Sequence, residues 1–304
     1  MHSSGKRYKS EIFSALLYVT PKHQRDKIIS KILKSKEKST KAPMSNWLIY
    51  PLTIADQQQH IEHSEQLLSN VQSGDPATIY WSLAQPAGLV LGFSQKESIL
   101  NPAARAAGSF PVYHRRAGGT AVLVGPTLLS LDVVLPADHP LHLPDLVESY
   151  RWFGESWVAT LAQLGAHTRM VTPAEAHAQR ALRRQSETRE YEMLMNRACY
   201  GSLSPYEVVV GQRKVVGFDM IRRRAGSLLQ AGVLLQWDSQ LLAYLLGHTP
   251  TEQKLLQKGL LDRAVGLDTL LGRVITCDEV ISTFERVLIN DERQRLMVDP
   301  LSSF

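Results

Sequence analysis

The alternation of apolar and polar residues changes period several times along the chain. In "LTIADQQQHIEHSEQLLSNVQSGD" (52–75), Ile54, Ile61, Leu68 and Val71 recur on one side of a helix, and Gly74 ends it. "ATIYWSL" and "GLVLGFSQ" are short and rich in β-branched and aromatic residues. The turn signal "AQPAG" joins them, so both are expected strands. "NPAARAAGSF" predicts a short helix closed by Gly108, and "PVYHRRAGGTAVLVGPTLLSLDVVLP" predicts strand, glycine loop, strand. "LPDLVESYRWFGESWVATLAQLG" has helical spacing, with Leu146, Tyr150, Trp157, Leu161 and Leu164 inward as core rather than as a cofactor box. "TPAEAHAQRALRRQ" predicts a polar helix.

A hairpin follows. "YEVVV" and "RKVVGFDMI" flank Gly211-Gln212, a pair suited to a tight two-residue turn. "GSLLQAGVLLQWD" is an expected third strand of the same sheet, and helical segments run from Asp238 onward. In the last of them Thr276 and Glu279 form the pattern of a capping box, and Cys277 at its start reads as structural. No repeat is visible, and the hydrophobic pattern is unbroken from Met44 to about residue 290. One mixed α/β domain over 44–304 is expected, behind a Lys-rich extension over 1–43 that has little to bury.

Composition narrows the function classes. The 304 residues are 44% hydrophobic, enough for a sizeable core, and no apolar run reaches the length of a membrane span. Two distant cysteines do not make a disulfide framework, which points to a reduced, cytoplasmic setting. The net charge of +5 draws partly on the first 43 residues. "RALRR" (180–184) and "IRRR" (221–224) are basic clusters, each a solvated face or a dock for an acidic partner. Neither is interleaved with aromatics as in a single-strand binder, so no nucleic acid is expected. The dinucleotide glycine fingerprint, the phosphate loop, HExxH, CxxC and GxSxG do not occur. His60 and His63 share a helix, but no third ligand lies nearby in the sequence. A solvated face is expected there, and no metal.

What remains is a set of three segments. "HRRAGGTAV" (114–122) carries two arginines and then two adjacent glycines. Such a loop brings backbone close to a ligand and supplies groups for a phosphate or carboxylate. "ACYGSLSPYEVVVGQRKVVG" (198–217) places a cysteine just before a hairpin that carries a lysine, and "RRRAGSLLQAGVLL" follows. In this order the set resembles the lipoate–protein ligase and octanoyltransferase family, related in fold to biotin protein ligases. The patterns in question are RRxxGGxAVxH, CFxxxSxYExxxxGRKxxGSAQxR and LQHGS, and the resemblance runs from about Asn46 to the C-terminal helix. It implies a mixed, largely antiparallel sheet flanked by helices.

The cysteine–lysine spacing is most similar to the cysteine-dependent octanoyltransferases. That likeness implies transfer of an octanoyl or lipoyl group from acyl carrier protein, through a cysteine thioester, to a lysine of a lipoyl domain such as the glycine-cleavage H protein. It implies Cys199 as nucleophile and Lys214 as the group that polarises the thioester carbonyl and lowers the thiol pKa. It also implies a substrate site of Arg115, Arg116, Gly118, Gly119, Thr120, Ala121, Tyr206 and Gly217, with Glu207 beside Tyr206. A monomer without cofactor is expected. The chain departs from the pattern at Val124, at Phe218-Asp219-Met220 and at Ala231, where the family carries histidine, "SAQ" and histidine. Two further readings stay open: an ATP-dependent lipoate ligase, which needs no cysteine, and a non-catalytic relative that binds an acyl group or a carrier protein.

Overall fold

A computed structural model describes residues 47–108 and 110–298, with side chains through Asn290. The extension over 1–43 and the domain start at Met44 lie outside the described residues. Ten strands are described: β1 Trp47–Ala55, β2 Ala77–Ala84, β3 Gly88–Leu91, β4 Val112–His114, β5 Val122–Val124, β6 Leu128–Pro136, β7 Arg169–Met170, β8 Val208–Val210, β9 Arg213–Arg223 and β10 Gly226–Leu234. The helices are α1 Gln57–Asn70, α2 Pro102–Ala107, α3 Arg151–Gln163, α4 Pro173–Leu182, α5 Arg189–Met195, α6 Gln240–Leu246, α7 Pro250–Arg263, α8 Leu267–Leu271 and α9 Cys277–Val298.

Seven strands form one sheet in the order β1-β2-β6-β10-β9-β8-β7, and β4-β3-β5 form a second. In the large sheet only β1 and β2 pair in parallel; the other neighbours are antiparallel. The mixed, largely antiparallel sheet with flanking helices is thus the observed architecture. Successive strand residues point to opposite faces, so register decides what each face carries. One face buries Trp81, Leu131, Leu229 and Phe218 against Phe153, Trp157 and Leu161 of α3 and Val280 and Phe284 of α9, all in a single core cluster. Trp157 and Phe284 stack with centroids 4.5 Å apart.

The other face is ordered in rows across β2, β6, β10 and β9. Thr78, Val134, Leu228 and Ile221 are direct cross-strand neighbours. Leu68 and Val71 from α1 and its end cover this apolar row. The next row is Tyr80, Asp132, Gln230 and Asp219, and the one after it is Ser82, Ser130, Gly232 and Gly217. The cleft lies over these last two rows.

Local signals account for most boundaries. The hairpin turns through Gly211-Gln212, with Gly211 at φ 60° and Val210 paired to Arg213. Gly108 closes α2 in the left-handed region. The capping box at α9 forms, Thr276 and Glu279 exchanging bonds between side chain and backbone. Three expectations shift. Ile54 is not on the helix: strand β1 continues to Ala55, and Asp56 then caps α1 by accepting from the Gln58 N–H. Leu146 precedes α3 and is half exposed, because the chain is in a loop there. His60 is buried rather than solvated. Its Nδ1 meets the Tyr80 hydroxyl at 2.7 Å and its Nε2 the Leu83 carbonyl at 3.1 Å, so its bonds are spent within the fold. No cluster of metal-ligating side chains exists among the described residues, and no helix there is long and apolar enough to cross a membrane.

Candidate active site

Cys199 begins a single 3₁₀ turn, Cys199–Gly201, just after α5. The segment before it is stapled to the glycine loop. Ala121 N–H donates to the Arg197 carbonyl at 3.1 Å, and Cys199 N–H donates to the Ala121 carbonyl at 2.9 Å. Ala121 therefore acts through its backbone, tying the loop to the cysteine. A Cβ on Gly201 would lie 2.0 Å from the Met195 carbonyl oxygen, so only glycine lets this turn fold back so closely on α5.

Lys214 and Glu207, on and just before the hairpin, are both 1% exposed and form a buried pair. The three N–H donors of Lys214 meet the two Glu207 carboxylate oxygens, at 2.8 and 2.7 Å, and the Cys199 carbonyl at 2.8 Å. Glu207 also accepts from the Ser204 and Phe218 backbone N–H groups. The lysine thus grips the backbone of Cys199. Its charge opposes the shift of the Cys199 thiol in the expected direction, but burial dominates and Glu207 adds to it, so the thiol is pushed up.

Gly217 sits where these groups converge. A Cβ there would lie 3.7 Å from Cys199 Sγ, 3.5 Å from Lys214 Cδ and 3.4 Å from Glu207 Oε1. The glycine keeps open the space in front of the sulfur.

Arg115 crosses from the glycine loop to β9. Its Nε lies 2.9 Å from Asp219 Oδ2 and 3.1 Å from the Gly118 carbonyl, and its Nη2 donates to the Gly118 and Thr120 carbonyls. Gly119 takes φ 83°, and its carbonyl presses on Gly92, where a Cβ would be only 2.1 Å away. Gly92 is a close-approach position that the sequence reading missed; "LGFSQ" offered only a glycine after a strand. Gly118 shows no such constraint. Arg116 is exposed at the rim and pairs with Glu65 of α1 at 3.1 Å. Tyr206 is held apart from these residues. It has φ 65°, its hydroxyl bonds Glu148 and Arg151, and it lines neither cleft described here.

Two clefts meet at Cys199. The inner one has an apolar wall that includes Val90, Val122, Val124 and Ile61, and a polar floor of Asp132, Gln230, Asp219 and the Ser82-Ser130-Gly232-Gly217 row. Ala231 and Phe218 also reach it. The outer one is lined by Lys214, Thr120, Ser204 and the arginines 180, 183 and 184 of α4 and its end. Burial and the charges of Arg180 and Arg184 push Arg183 down, as expected of crowded cations. The polar floor was not legible as a unit in the sequence. Asp132 lies in "SLDVVLP", an ordinary strand pattern, and only cross-strand register brings it beside Gln230.

The lipoyl protein ligase A/B catalytic domain model matches residues 56–289, more than half of the chain. The chain belongs to this family. Its relatives include octanoyltransferase LipM of an Exiguobacterium species, 25% identical over 243 residues covering 79% of this chain and 84% of the relative. Another is the LipM of Brevibacillus brevis, 28% identical and covering 69% and 74% of the two chains. Among solved structures, a bipartite lipoate protein ligase from Thermoplasma acidophilum superposes with a TM-score of 0.63 at 17% identity, over 82% of this chain and 84% of that one. P. falciparum LipL1 in complex with lipoate gives 0.53 at 12% identity, over 85% and 64%. At these identities the structures establish the fold.

Proposed function

We propose that this protein is an acyltransferase of protein lipoylation that carries an octanoyl-length acyl group on Cys199. The observation that carries the reading is the position of Cys199, at the junction of two clefts, with its backbone fixed by a buried lysine–glutamate pair. The LipM relatives are octanoyltransferases, which supports the same chemistry. The donor is a thioester of acyl carrier protein and the acceptor a lysine of a lipoyl domain. The outer, arginine-lined cleft suits the anionic arm of a carrier protein. The inner cleft receives the acyl chain.

Two displacements complete the transfer. The Cys199 thiol gives up its proton, and its sulfur attacks the donor carbonyl. The new C–S bond replaces the old one, and the carrier leaves as a thiol with that proton. A neutral acceptor amine then attacks the acyl-cysteine carbonyl. An amide forms, the C–S bond breaks, and Cys199 regains a proton from the nitrogen. Lys214 acts here as a positioning residue, because all three of its donors are engaged. Contact of its ammonium with a thioester oxygen requires the exchange of one of those bonds.

Intact-mass analysis after incubation with octanoyl-carrier protein tests the reading. One octanoyl group is expected on the wild type, removed by hydroxylamine and absent from Cys199→Ala. A Cys199→Ala protein that still modifies a lipoyl domain with octanoate and ATP would establish the ligase instead. A wild type that accepts no acyl group from either source would establish a non-catalytic relative.

A further inference from the structure

The inner cleft is built unevenly for a plain alkyl chain. Its apolar wall suits one, but its floor carries two carboxyl groups and an amide in a single row, Asp132, Gln230 and Asp219. Asp132 is 5% exposed. It accepts from Gln230 Nε2 at 2.8 Å and meets the Ser64 hydroxyl. Gln230 has thereby spent an N–H, and its carbonyl oxygen remains for another donor. On Asp219, Oδ2 faces Arg115, while Oδ1 is shielded from solvent and has no hydrogen-bond partner. Of these two acceptors the Gln230 oxygen is the one open to a donor on a bound chain, because Asp219 Oδ1 is closed off from the cleft.

A saturated chain lying across this row would strip water from the Gln230 oxygen and return nothing. Leaving buried acceptors unpaired is costly. The placement along the cleft is also informative. Gly217, beside the sulfur, and Asp219 are two residues apart on β9, and Asp132 lies two strands further across the sheet. Strand spacings of roughly 4.8 Å, with roughly 3.4 Å per residue along the strand, put Asp132 roughly 12 Å from Gly217. The polar row therefore starts near the thioester and ends where the far end of a medium-length chain would lie.

We infer that the acyl group this enzyme prefers carries a hydrogen-bond donor, a hydroxyl or N–H, toward its distal end, and that the Asp132–Gln230–Asp219 row reads it. The inference rests on the transferase reading for its covalent step, but not for binding. The family's octanoyl chain then becomes the poorer substrate. Asp132 and Gln230 are specificity residues for the distal group. Asp219 adds to the polarity of the row and is held in place by Arg115.

The test compares octanoyl with 8-hydroxyoctanoyl, each as a carrier-protein thioester for Cys199 acylation and as a simple amide for equilibrium binding to full-length Cys199→Ala. The hydroxylated chain is expected to be favoured roughly tenfold or more in both assays, as when a polar site meets an analogue that lacks the matching group. Gln230→Leu and Asp132→Leu, checked for folding by circular dichroism, are expected to remove that preference and improve plain octanoyl. Where a leucine variant fails to fold, Gln230→Met is the alternative. It keeps the side-chain length, removes both the amide donor to Asp132 and the free oxygen, and is expected to shrink the preference. Plain octanoyl binding as well as the hydroxylated chain to Cys199→Ala overturns the inference, whatever the acylation result. A binding preference with no acylation of wild type by either thioester upholds the inference and overturns the transferase reading.

Discussion

The two faces of the seven-stranded sheet are made from the same strands and do opposite work. On the α3/α9 face, Trp81, Trp157, Phe153 and Phe284 interlock, and Trp81 donates its indole N–H to Glu285 of α9. On the cleft face, two residues along each strand separate an apolar row under α1 from a row of carboxyl and amide groups, and two more separate that from a row of serine and glycine. The first face holds the fold together. The second gives up some of that stability to keep polar groups and open space beside the cysteine.

Breaking the first face should cost stability and leave the chemistry alone. Phe284→Ala removes a fully buried ring and is expected to destabilise by roughly 3–5 kcal/mol in urea titration. The fraction that remains folded should acylate Cys199 at the wild-type rate. A large loss of rate in folded protein would show that the two faces are coupled.

The buried pair at the cysteine should show the opposite balance. Lys214→Met strands Glu207 as an unpaired buried carboxylate, a change expected to cost about 3–5 kcal/mol. Lys214→Met/Glu207→Gln should recover more than half of that stability, because no lone charge is left. The double variant should still acylate slowly, since the Cys199 carbonyl has lost its anchor. Wild-type rates in the double variant would mean that the pair serves packing alone.

Asp132 sharpens the comparison through pH. Burial pushes its carboxyl up to about 6, above the ordinary value of 3.8. A folded-state value above the unfolded one means that the fold favours the protonated form. Its contribution is therefore lost as pH rises through about 6 and stays lost above. Asp132→Asn is expected to raise the unfolding free energy at pH 7.5, by up to about 3 kcal/mol, and to change little at pH 4. An equal effect at both values would show that the carboxyl does not titrate in this range. The smallest expected effect is on the thiol. With its pKa raised by burial, alkylation of Cys199 by iodoacetamide should still be climbing above pH 9. A plateau near neutrality would reveal a base or cation at the sulfur that outweighs burial.

Much of this was legible one residue at a time. The hairpin followed from Gly211-Gln212 between two β-rich runs, and the α9 cap from Thr276 and Glu279, because turns and caps are made by neighbours in sequence. Cys199 and Lys214 stood out because the family pattern spaces them within one short segment. The sequence was least informative where contact depended on distant residues. His60 looked solvated among glutamines and glutamates, yet Tyr80 and Leu83 close over it from the neighbouring strand. Tyr206 matched the family motif, but Glu148 and Arg151 at the start of α3 hold its hydroxyl.

By itself the sequence determined the strand and helix succession, the glycine loop, and the cysteine and lysine that belong to one site. These depend on local periodicity, turn chemistry and motif spacing, all of which act over a few residues. The tertiary structure decided what the lysine does and what the cleft is. It turned Lys214 toward Glu207 and the Cys199 backbone, and it set Asp132, Gln230 and Asp219 in one row. Asp132 lies on a strand far in sequence from the other two, and it looks ordinary where it stands. Only antiparallel register, in which a shift of one residue would send every side chain to the other face, brings them together.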